Sequence, residues 1–364
     1  QTPNPKPQTP NPKPRCGDCL RIDRLRGEIC EIKDFIGGGV NPGYTSMNDG
    51  LADLLELENY EVKEELGRGQ YGSVRRVFDR LRLSEFAMKI VESDKNTGVP
   101  PSILKEVAIL RELDHPQIVR LQDVIFCNSK ICILFELAEA DLHKQIYSRP
   151  KMPLRAVRKV AYQLFLGLTE LHRLRILHRD LKPANILCFP EGEAFAVKIA
   201  DFGISRVSSV PVKAYTNDVV TLWYRAPELL LGSQTYNDRI DVWSIGCIIA
   251  EMIAKKPLFP GKSPEDQLKI IAESIDFSGR EKDLTGLHSL PLYPRFKELC
   301  LGLKGSGLGA LGVSDPDCLA LLADCLELDP SRRPSAKQAT EHPWFRAERE
   351  EQQSDDLLFN FDSL

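Results

Sequence analysis

The stretch His178-Arg179-Asp180-Leu181-Lys182-Pro183-Ala184-Asn185 constrains this 364-residue chain more than any other. It places an acid, Asp180, two residues before a base, Lys182, and five before an amide, Asn185. Phosphoryl transfer asks for that set: a carboxylate to orient the attacking hydroxyl, a cation near the moving phosphate, and an oxygen ligand for Mg²⁺. Five fixed letters in this order arise by chance on the order of once in a few million start positions. A plain basic loop between a helix and a strand would account for Arg179 and Lys182, but not for the order.

Other segments supply matching parts. Gly67-Arg68-Gly69-Gln70-Tyr71-Gly72-Ser73-Val74 follows Tyr60-Glu61-Val62-Lys63-Glu64-Glu65-Leu66, whose apolar letters recur at strand period. A G-x-G-x-x-G run also opens dinucleotide-binding folds, but there the third glycine leads into a helix. Here Ser73-Val74-Arg75-Arg76-Val77-Phe78 is β-branched and reads as a second strand. The result is a hairpin whose glycines let backbone N–H groups approach phosphates. Phe86-Ala87-Met88-Lys89-Ile90 reads as the next strand, and Lys89 is either a solvated edge lysine or a cleft cation. A cleft cation needs a counter-charge, because an unpaired buried ammonium is costly. Glu106 beside Ile103, Val107 and Leu110, which recur at helical spacing, is the candidate; a solvated glutamate paired along its own helix is the alternative. Asp201-Phe202-Gly203 follows the short strand Ala196-Val197-Lys198-Ile199-Ala200, where the second Mg²⁺ ligand is needed. Ala226-Pro227-Glu228 closes that segment, and Arg333 in Asp329-Pro330-Ser331-Arg332-Arg333-Pro334 is the expected partner of Glu228.

From about Tyr60 to Phe345 the chain resembles the eukaryotic protein kinases, and closely the cyclin-dependent branch, with every catalytic motif in order. Pro100-Pro101-Ser102-Ile103-Leu104-Lys105-Glu106 occupies the place of that branch's cyclin-contacting helix. Tyr215-Thr216-Asn217-Asp218-Val219-Val220-Thr221-Leu222-Trp223-Tyr224-Arg225 is similar to its activation segment, and Asp241-Val242-Trp243-Ser244-Ile245-Gly246-Cys247 to its buried helix. The resemblance implies an α+β, two-lobed fold: a small β-rich lobe at 55–137 with one main helix, a hinge at Phe135-Glu136-Leu137-Ala138, and a mostly helical lobe at 138–345. It implies a serine/threonine kinase using ATP and Mg²⁺. Asp180 would take the substrate proton, Lys182 would neutralise the γ-phosphate, Asn185 and Asp201 would hold the metal, and Lys89, backed by Glu106, the α- and β-phosphates.

The same resemblance implies the nucleotide site. The glycines Gly67, Gly69 and Gly72 would cover the phosphates. Leu66, Val74 and Ala87 would lie above the adenine, Leu187 below it and Phe135 behind it, with Glu136 and Ala138 at the hinge and Asp141 at the ribose. Thr221 would steady Asp180, and Val219, Val220 and Arg225 would shape a pocket for proline after the phosphorylated residue. Thr216 matches the activating phosphorylation site, served by Arg179, Arg206 and, in place of a third arginine, Lys105, which binds as a point charge. Tyr71 matches an inhibitory tyrosine, but its neighbour is Gln70 rather than threonine, and a packing role at the loop tip is the other reading.

A longer link from Asn185 to Asp201, through Cys188-Phe189-Pro190-Glu191-Gly192-Glu193, and the hinge Leu137-Ala138-Glu139-Ala140-Asp141-Leu142 resemble Mediator-associated transcriptional kinases. Thr216 and Asp201-Phe202-Gly203 resemble the cell-cycle type. A pseudokinase scaffold would ordinarily lose Lys89, Asp180 or Asp201, and all three are present. A small-molecule phosphotransferase would not need Ala226-Pro227-Glu228 or the segment 219–225.

A net charge of −4 gives no electrostatic case for nucleic acid. The longest apolar run, Trp243 to Ala254, is too short to cross a membrane and is interrupted by Glu251. Ten cysteines without a small disulfide-scaffold pattern suit a reducing compartment, nucleus or cytoplasm. Cys16-Gly17-Asp18-Cys19 has half of a zinc spacing but only Cys30 nearby. Residues 1–54 read as an extension that starts with two copies of Gln-Thr-Pro-Asn-Pro-Lys-Pro, polyproline-like and either a spacer or a pair of Thr-Pro substrates. Residues 346–364 read as an acidic tail, a solvating segment or a short docking motif around Asp355-Asp356-Leu357-Leu358-Phe359.

Overall fold

The computed structural model describes residues 58–69, 72–92, 100–127, 130–191, 194–202, 206–207, 222–275, 287–300 and 305–361. The expectations for 1–54, Tyr71, Gly203, Thr216, Val219, Val220, Thr221 and the side chain of Arg206 lie outside the described residues.

The β-branched and alternating segments of the first lobe form an antiparallel sheet. Its strands are β1 (Tyr60–Gly69), β2 (Gly72–Asp79), β3 (Ser84–Glu92), β4 (Leu121–Cys127) and β5 (Lys130–Glu136), in the order β1-β2-β3-β5-β4. One helix, α1 (Pro101–Arg111), crosses it; Pro101 sits at the first helical position, where its missing N–H costs nothing. The inward face of α1, Ile103 and Val107, packs on Val91, Ile131 and Ile133.

Past the hinge come β6 (Ala140–Asp141), α2 (Leu142–Ser148) and the long α3 (Leu154–Arg173). Val157, Val160, Ala161, Leu164, Phe165, Leu168 and Leu171 recur along α3 at three- and four-residue steps and are all buried. Short strands β7 (Ile176–Leu177), β8 (Ile186–Glu191), β9 (Ala194–Ile199) and β10 (Arg206–Val207) line the lobe boundary, pairing as β6-β8-β9 and β7-β10. An isolated parallel bridge, Ile118 to Ile199, joins the two lobes.

The second lobe continues with α4 (Pro227–Leu230), α5 (Arg239–Ala254), α6 (Pro264–Ser274), α7 (Tyr293–Cys300), α8 (Pro316–Cys325), α9 (Ala336–Thr340) and α10 (Arg346–Phe361). Helix α5 is apolar all round, and every residue from Ile240 to Ile253 is buried, including Asp241 and Glu251. A helix of that kind must lie at the centre of its lobe.

The reading of 346–364 as a solvating tail is corrected, because residues 346–361 are helical. Trp344 and Phe345 are buried just before α10 and fix where it starts. Its acidic residues then meet the cationic edge of α3: Arg158 Nε donates to Glu348 Oε1 (2.7 Å), Lys159 Nζ to Glu351 Oε1 (2.9 Å), and Tyr162 Oη to Gln352 Oε1 (2.9 Å). The negative charge that reads as solvation in sequence is complementary to a neighbouring helix.

Candidate active site

Strand pairing carries the first half of the site. Val74 lies opposite Lys89 across β2 and β3, and β5 sets Ile133 opposite Lys89 and Phe135 opposite Ala87. Because side chains alternate across a sheet, Ala87 and Lys89 share one face. The β1–β2 hairpin closes over that face with Gly67 opposite Val74 and Gly69 opposite Gly72. Its register slips between Glu65 and Gly67, so Leu66 sits at a bulge, which re-aims a side chain. Gly72 is required by geometry: its φ is +154°, and an added Cβ would lie 1.9 Å from the Ile90 carbonyl oxygen.

Lys89 has the partner expected for it. Its Nζ donates to both carboxylate oxygens of Glu106, at 2.9 and 2.8 Å, and lies 4.0 Å from Asp201 Oδ1. Glu106 is almost wholly buried. Burial pushes its carboxyl up, more than the facing ammonium of Lys89 pulls it down. The ion pair therefore ties the only helix of the first lobe's described residues to the strand that carries Lys89.

The second half lies between β7 and β9. Arg179 and Asp201 both have left-handed backbone, with φ of 73° and 64°, a costly conformation for non-glycine residues that surrounding contacts must hold. Asp241 of α5 supplies such contacts to Arg179. Its carboxylate accepts from the backbone N–H of Arg179 (2.8 Å) and of His178 (3.0 Å), and from His172 Nε2 at 3.0 Å. Burial acts on Asp241 upward, but those donors together hold it below its ordinary value. His178 in turn bonds the Ala200 carbonyl through Nε2 (3.0 Å) and meets Phe202 edge-on, with Phe202 fully buried. The loop bearing Asp180 and the loop bearing Asp201 thus rest on one buried support.

Asp180 is held asymmetrically. Its Oδ2 accepts from Lys182 Nζ (2.7 Å) and from Asn185 Nδ2 (3.1 Å), while Asn185 Nδ2 also donates to the Asp180 carbonyl at 2.8 Å. Oδ1 is buried and has no hydrogen-bond partner among the described residues. A buried carboxylate oxygen without a donor awaits one, and an incoming hydroxyl fits that need. Using its nitrogen on Asp180 leaves Asn185 its carbonyl oxygen. Together with the half-exposed Asp201 carboxylate, this makes a hard-oxygen donor pair of the kind Mg²⁺ takes alongside phosphate oxygens.

The remaining expected residues divide by role. Leu187 is the β8 partner of Asp141, so the two residues assigned below the adenine and at the ribose are adjacent. Asp141 Oδ1 also caps α2 through the Lys144 N–H (2.7 Å). Ala138 is half-buried at the hinge. Glu136 uses its carboxylate elsewhere, accepting from Lys198 Nζ (2.6 Å) and the Arg120 N–H (2.8 Å), so its side chain secures the hinge to β9. Arg225 and Arg179 line a small cavity together with Asp180, and Arg179 lies over the Tyr236 ring at 5.6 Å. Lys105 is half-buried on α1. Glu228 and Arg333 form the expected pair, fully buried and bidentate at 2.7 and 2.6 Å.

Sequence reading did not anticipate Asp241 and His172 as supports, nor Lys198 as the clasp on the hinge. A charged residue inside an otherwise apolar helix, as Asp241 is, was the available signal.

A hairpin over a lysine paired with a helical glutamate, facing a carboxylate, an amide and a second carboxylate across two lobes, defines a phosphotransferase cleft. The family model described as the protein kinase domain matches residues 60–345, and the chain belongs to that family. It is a protein kinase domain, with ATP as the phosphoryl donor that membership implies.

Proposed function

We propose that this chain is a cyclin-dependent-type serine/threonine kinase that transfers the γ-phosphate of ATP to Ser/Thr-Pro sites on proteins, in cell-cycle or transcription control. One observation carries the reading: Lys182 and Asn185 both bind Asp180 Oδ2, leaving the buried Oδ1 to a substrate hydroxyl. A short serine or threonine hydroxyl is oriented there, and Asp180 accepts its proton as the bond to phosphorus forms. Lys182 Nζ lies within reach of the same hydroxyl and of the transferring group. Lys89, fixed by Glu106, binds the other phosphates. Mg²⁺, held by Asn185 and Asp201, offsets charge on the phosphate oxygens when bound.

Arg225 beside Asp180 supports a specificity pocket next to the reacting hydroxyl. The motif Pro100–Glu106 supports a cyclin-like partner: it builds α1, and Glu106 on that helix completes the phosphate site. Ile103, Leu104 and Val107 are buried within the chain, so Pro101, Lys105 and Arg111 are the α1 residues such a subunit would meet. Cys132, Cys188, Cys247, Cys318 and Cys325 are buried thiols outside any disulfide, and burial pushes the Cys188 thiol up to about 12. These inert thiols support a reducing intracellular location.

The test is transfer of labelled phosphate to paired peptides that differ only in proline or alanine after the serine. Transfer favouring proline at least tenfold and abolished by Asp180→Asn is expected. Equal rates on the two peptides would remove the proline preference, and undiminished transfer by Asp180→Asn would remove the assignment of the base.

A further inference from the structure

Glu251 is a carboxylate in the middle of the second lobe, 1% exposed, on a helix that is otherwise almost wholly apolar. A buried carboxylate needs donors for both oxygens. Among the described residues its partners are two tyrosine hydroxyls: Tyr224 Oη donates to Oε2 at 2.7 Å, and Tyr147 Oη donates to Oε1 at 2.8 Å. Tyr224 immediately precedes Arg225 and Ala226 and lines the same cavity as Asp180. Tyr147 comes from α2, far from the reacting atoms in sequence, and packs its ring on His143 with centroids 4.7 Å apart.

The segment Trp223–Ala226 has other ties as well, including Arg225 N–H to the Leu222 carbonyl (3.1 Å) and Leu229 N–H to the Ala226 carbonyl (3.1 Å). Ser244 Oγ donates to the Tyr224 carbonyl (2.8 Å), Trp223 Nε1 to the Gly261 carbonyl (3.0 Å), and Gln267 Nε2 to the Trp223 carbonyl (3.3 Å). Of these groups, the Tyr224 hydroxyl alone reaches Glu251. Helix α2 is held against α5 a second time by Lys255 Nζ, which donates to the Arg149 carbonyl at 2.7 Å. The contact between Tyr147 and Glu251 therefore spans two helices that a second hydrogen bond also joins, with Tyr147 itself 37% exposed.

We propose that Tyr147 is a positioning residue for the protein substrate, acting through Glu251 on Tyr224 and so on the floor of the substrate pocket at Arg225. With Tyr147 in place, Glu251 Oε1 is satisfied and Oε2 is aimed at Tyr224. Without it, one oxygen of a buried carboxylate is orphaned, and the carboxylate must turn or admit water. Either response moves or weakens the acceptor that holds Tyr224. Burial pushes the pKa of both phenols up, which keeps the two hydroxyls as donors. Tyr147, Glu251 and Tyr224 themselves lie outside β3, α1 and the hinge. The effect belongs to the protein substrate and spares the nucleotide.

The inference rests on phosphoryl transfer to proteins and not on the preference for proline, and the experiment keeps the two apart. Steady-state kinetics of the full chain and its Tyr147→Phe variant are measured on the serine-proline peptide and its serine-alanine counterpart, with ATP varied in a second series. If wild type takes both peptides equally, the proline preference fails while Tyr147 is still read on either one. The expected result is a three- to tenfold rise in peptide KM on either peptide, with the ATP KM unchanged. Unchanged peptide KM overturns the proposal. So does a parallel rise in both KM values, because a merely structural role would weaken both ligands alike. The double variant with Tyr224→Phe should raise peptide KM by less than the product of the single effects, because both hydroxyls act through one carboxylate; multiplicative effects overturn that route. Amide hydrogen exchange supplies a readout independent of turnover: Tyr147→Phe should speed exchange at Trp223, Tyr224 and Arg225, and unaltered exchange there also overturns the proposal.

Discussion

Replacing Arg333 by methionine should destabilise this domain more than any surface change, and the structure sets the size. All five guanidinium N–H groups are used: Nη1 donates to Glu228 Oε1 (2.7 Å) and the Arg239 carbonyl (3.1 Å), Nη2 to Glu228 Oε2 (2.6 Å) and the Leu328 carbonyl (3.0 Å), and Nε to the Glu327 carbonyl. The side chain is 0% exposed and that of Glu228 is 4% exposed, so water cannot replace what is lost. Methionine fills similar volume but leaves a buried carboxylate and three carbonyls without donors. Breaking a buried pair from one side costs about 3–5 kcal/mol. With an unfolding entropy of about 2.1 cal/mol/K per residue over roughly 290 residues, that is a fall in Tm of about 5–8 °C. Glu228→Met should cost less, because the three carbonyl bonds of Arg333 survive it. The double variant should be more stable than the sum of the single losses, since it strands no charge. Thermal and urea unfolding of the four proteins measures all of this. A Tm shift under about 2 °C for Arg333→Met, or strict additivity in the cycle, would refute the argument from desolvated charge.

Three further outcomes are expected. Asp241 has a folded-state pKa below its unfolded value, so its stabilisation is fully present above the unfolded carboxylate range, near 3.9, and is lost as pH falls through the folded value. Asp241→Asn should therefore cost about 2–3 kcal/mol near neutrality, and the gap from wild type in urea unfolding should close below about pH 4; a gap as wide at pH 3 as at pH 7 would contradict this. Gly72→Ala should destabilise the fold through collision with the Ile90 carbonyl, by about 2 kcal/mol or more in thermal unfolding, whereas Gly67→Ala, whose added Cβ meets nothing within 4 Å, should leave nucleotide-free stability nearly unchanged. Thr216→Ala should reduce turnover at least tenfold with an activating subunit bound, as loss of a phosphorylation that gathers cations; equal turnover would show that Thr216 is not the activating site.

How much of this was legible in the sequence depended on what kind of partner a buried charge takes. Lys89 and Glu106 lie in different elements, as do Glu228 and Arg333, yet both pairs could be anticipated. Lys89, Glu106 and Glu228 are charges beside apolar residues, each with an opposite charge available in another motif (Arg333 by its motif alone, among Ser331, Arg332 and Pro334), and a buried ion tolerates few other solutions. Strand and helix periods likewise led to strands around one helix in the first lobe, whereas the order of those strands is a matter of tertiary pairing that periods do not carry. The roles given to Leu187, Asp141 and Arg225 came from resemblance alone; the fold pairs Leu187 with Asp141 and lines one cavity with Arg225 and Asp180.

Asp241 and Glu251 are charges in a helix as apolar as any among the described residues, but neither has a lysine or arginine as its hydrogen-bond partner there. Asp241 is held by two backbone amides and an imidazole, and Glu251 by two phenols. Every residue but proline offers an amide, and a tyrosine hydroxyl gives no sign in sequence of where it will point. The sequence of α5 therefore announces that two carboxylates must be satisfied without saying by what, and Glu251 reads only as a break in an apolar run. The tail shows the converse: acidic residues taken for solvation were answered by Arg158 and Lys159 of α3, because helix-to-helix docking is decided by tertiary contact and not by local composition. The parts of this site that act on phosphate are thus written as cations and carboxylates in motifs. The parts that hold those motifs still are written as ordinary amides and hydroxyls, and they became visible only when the chain was folded.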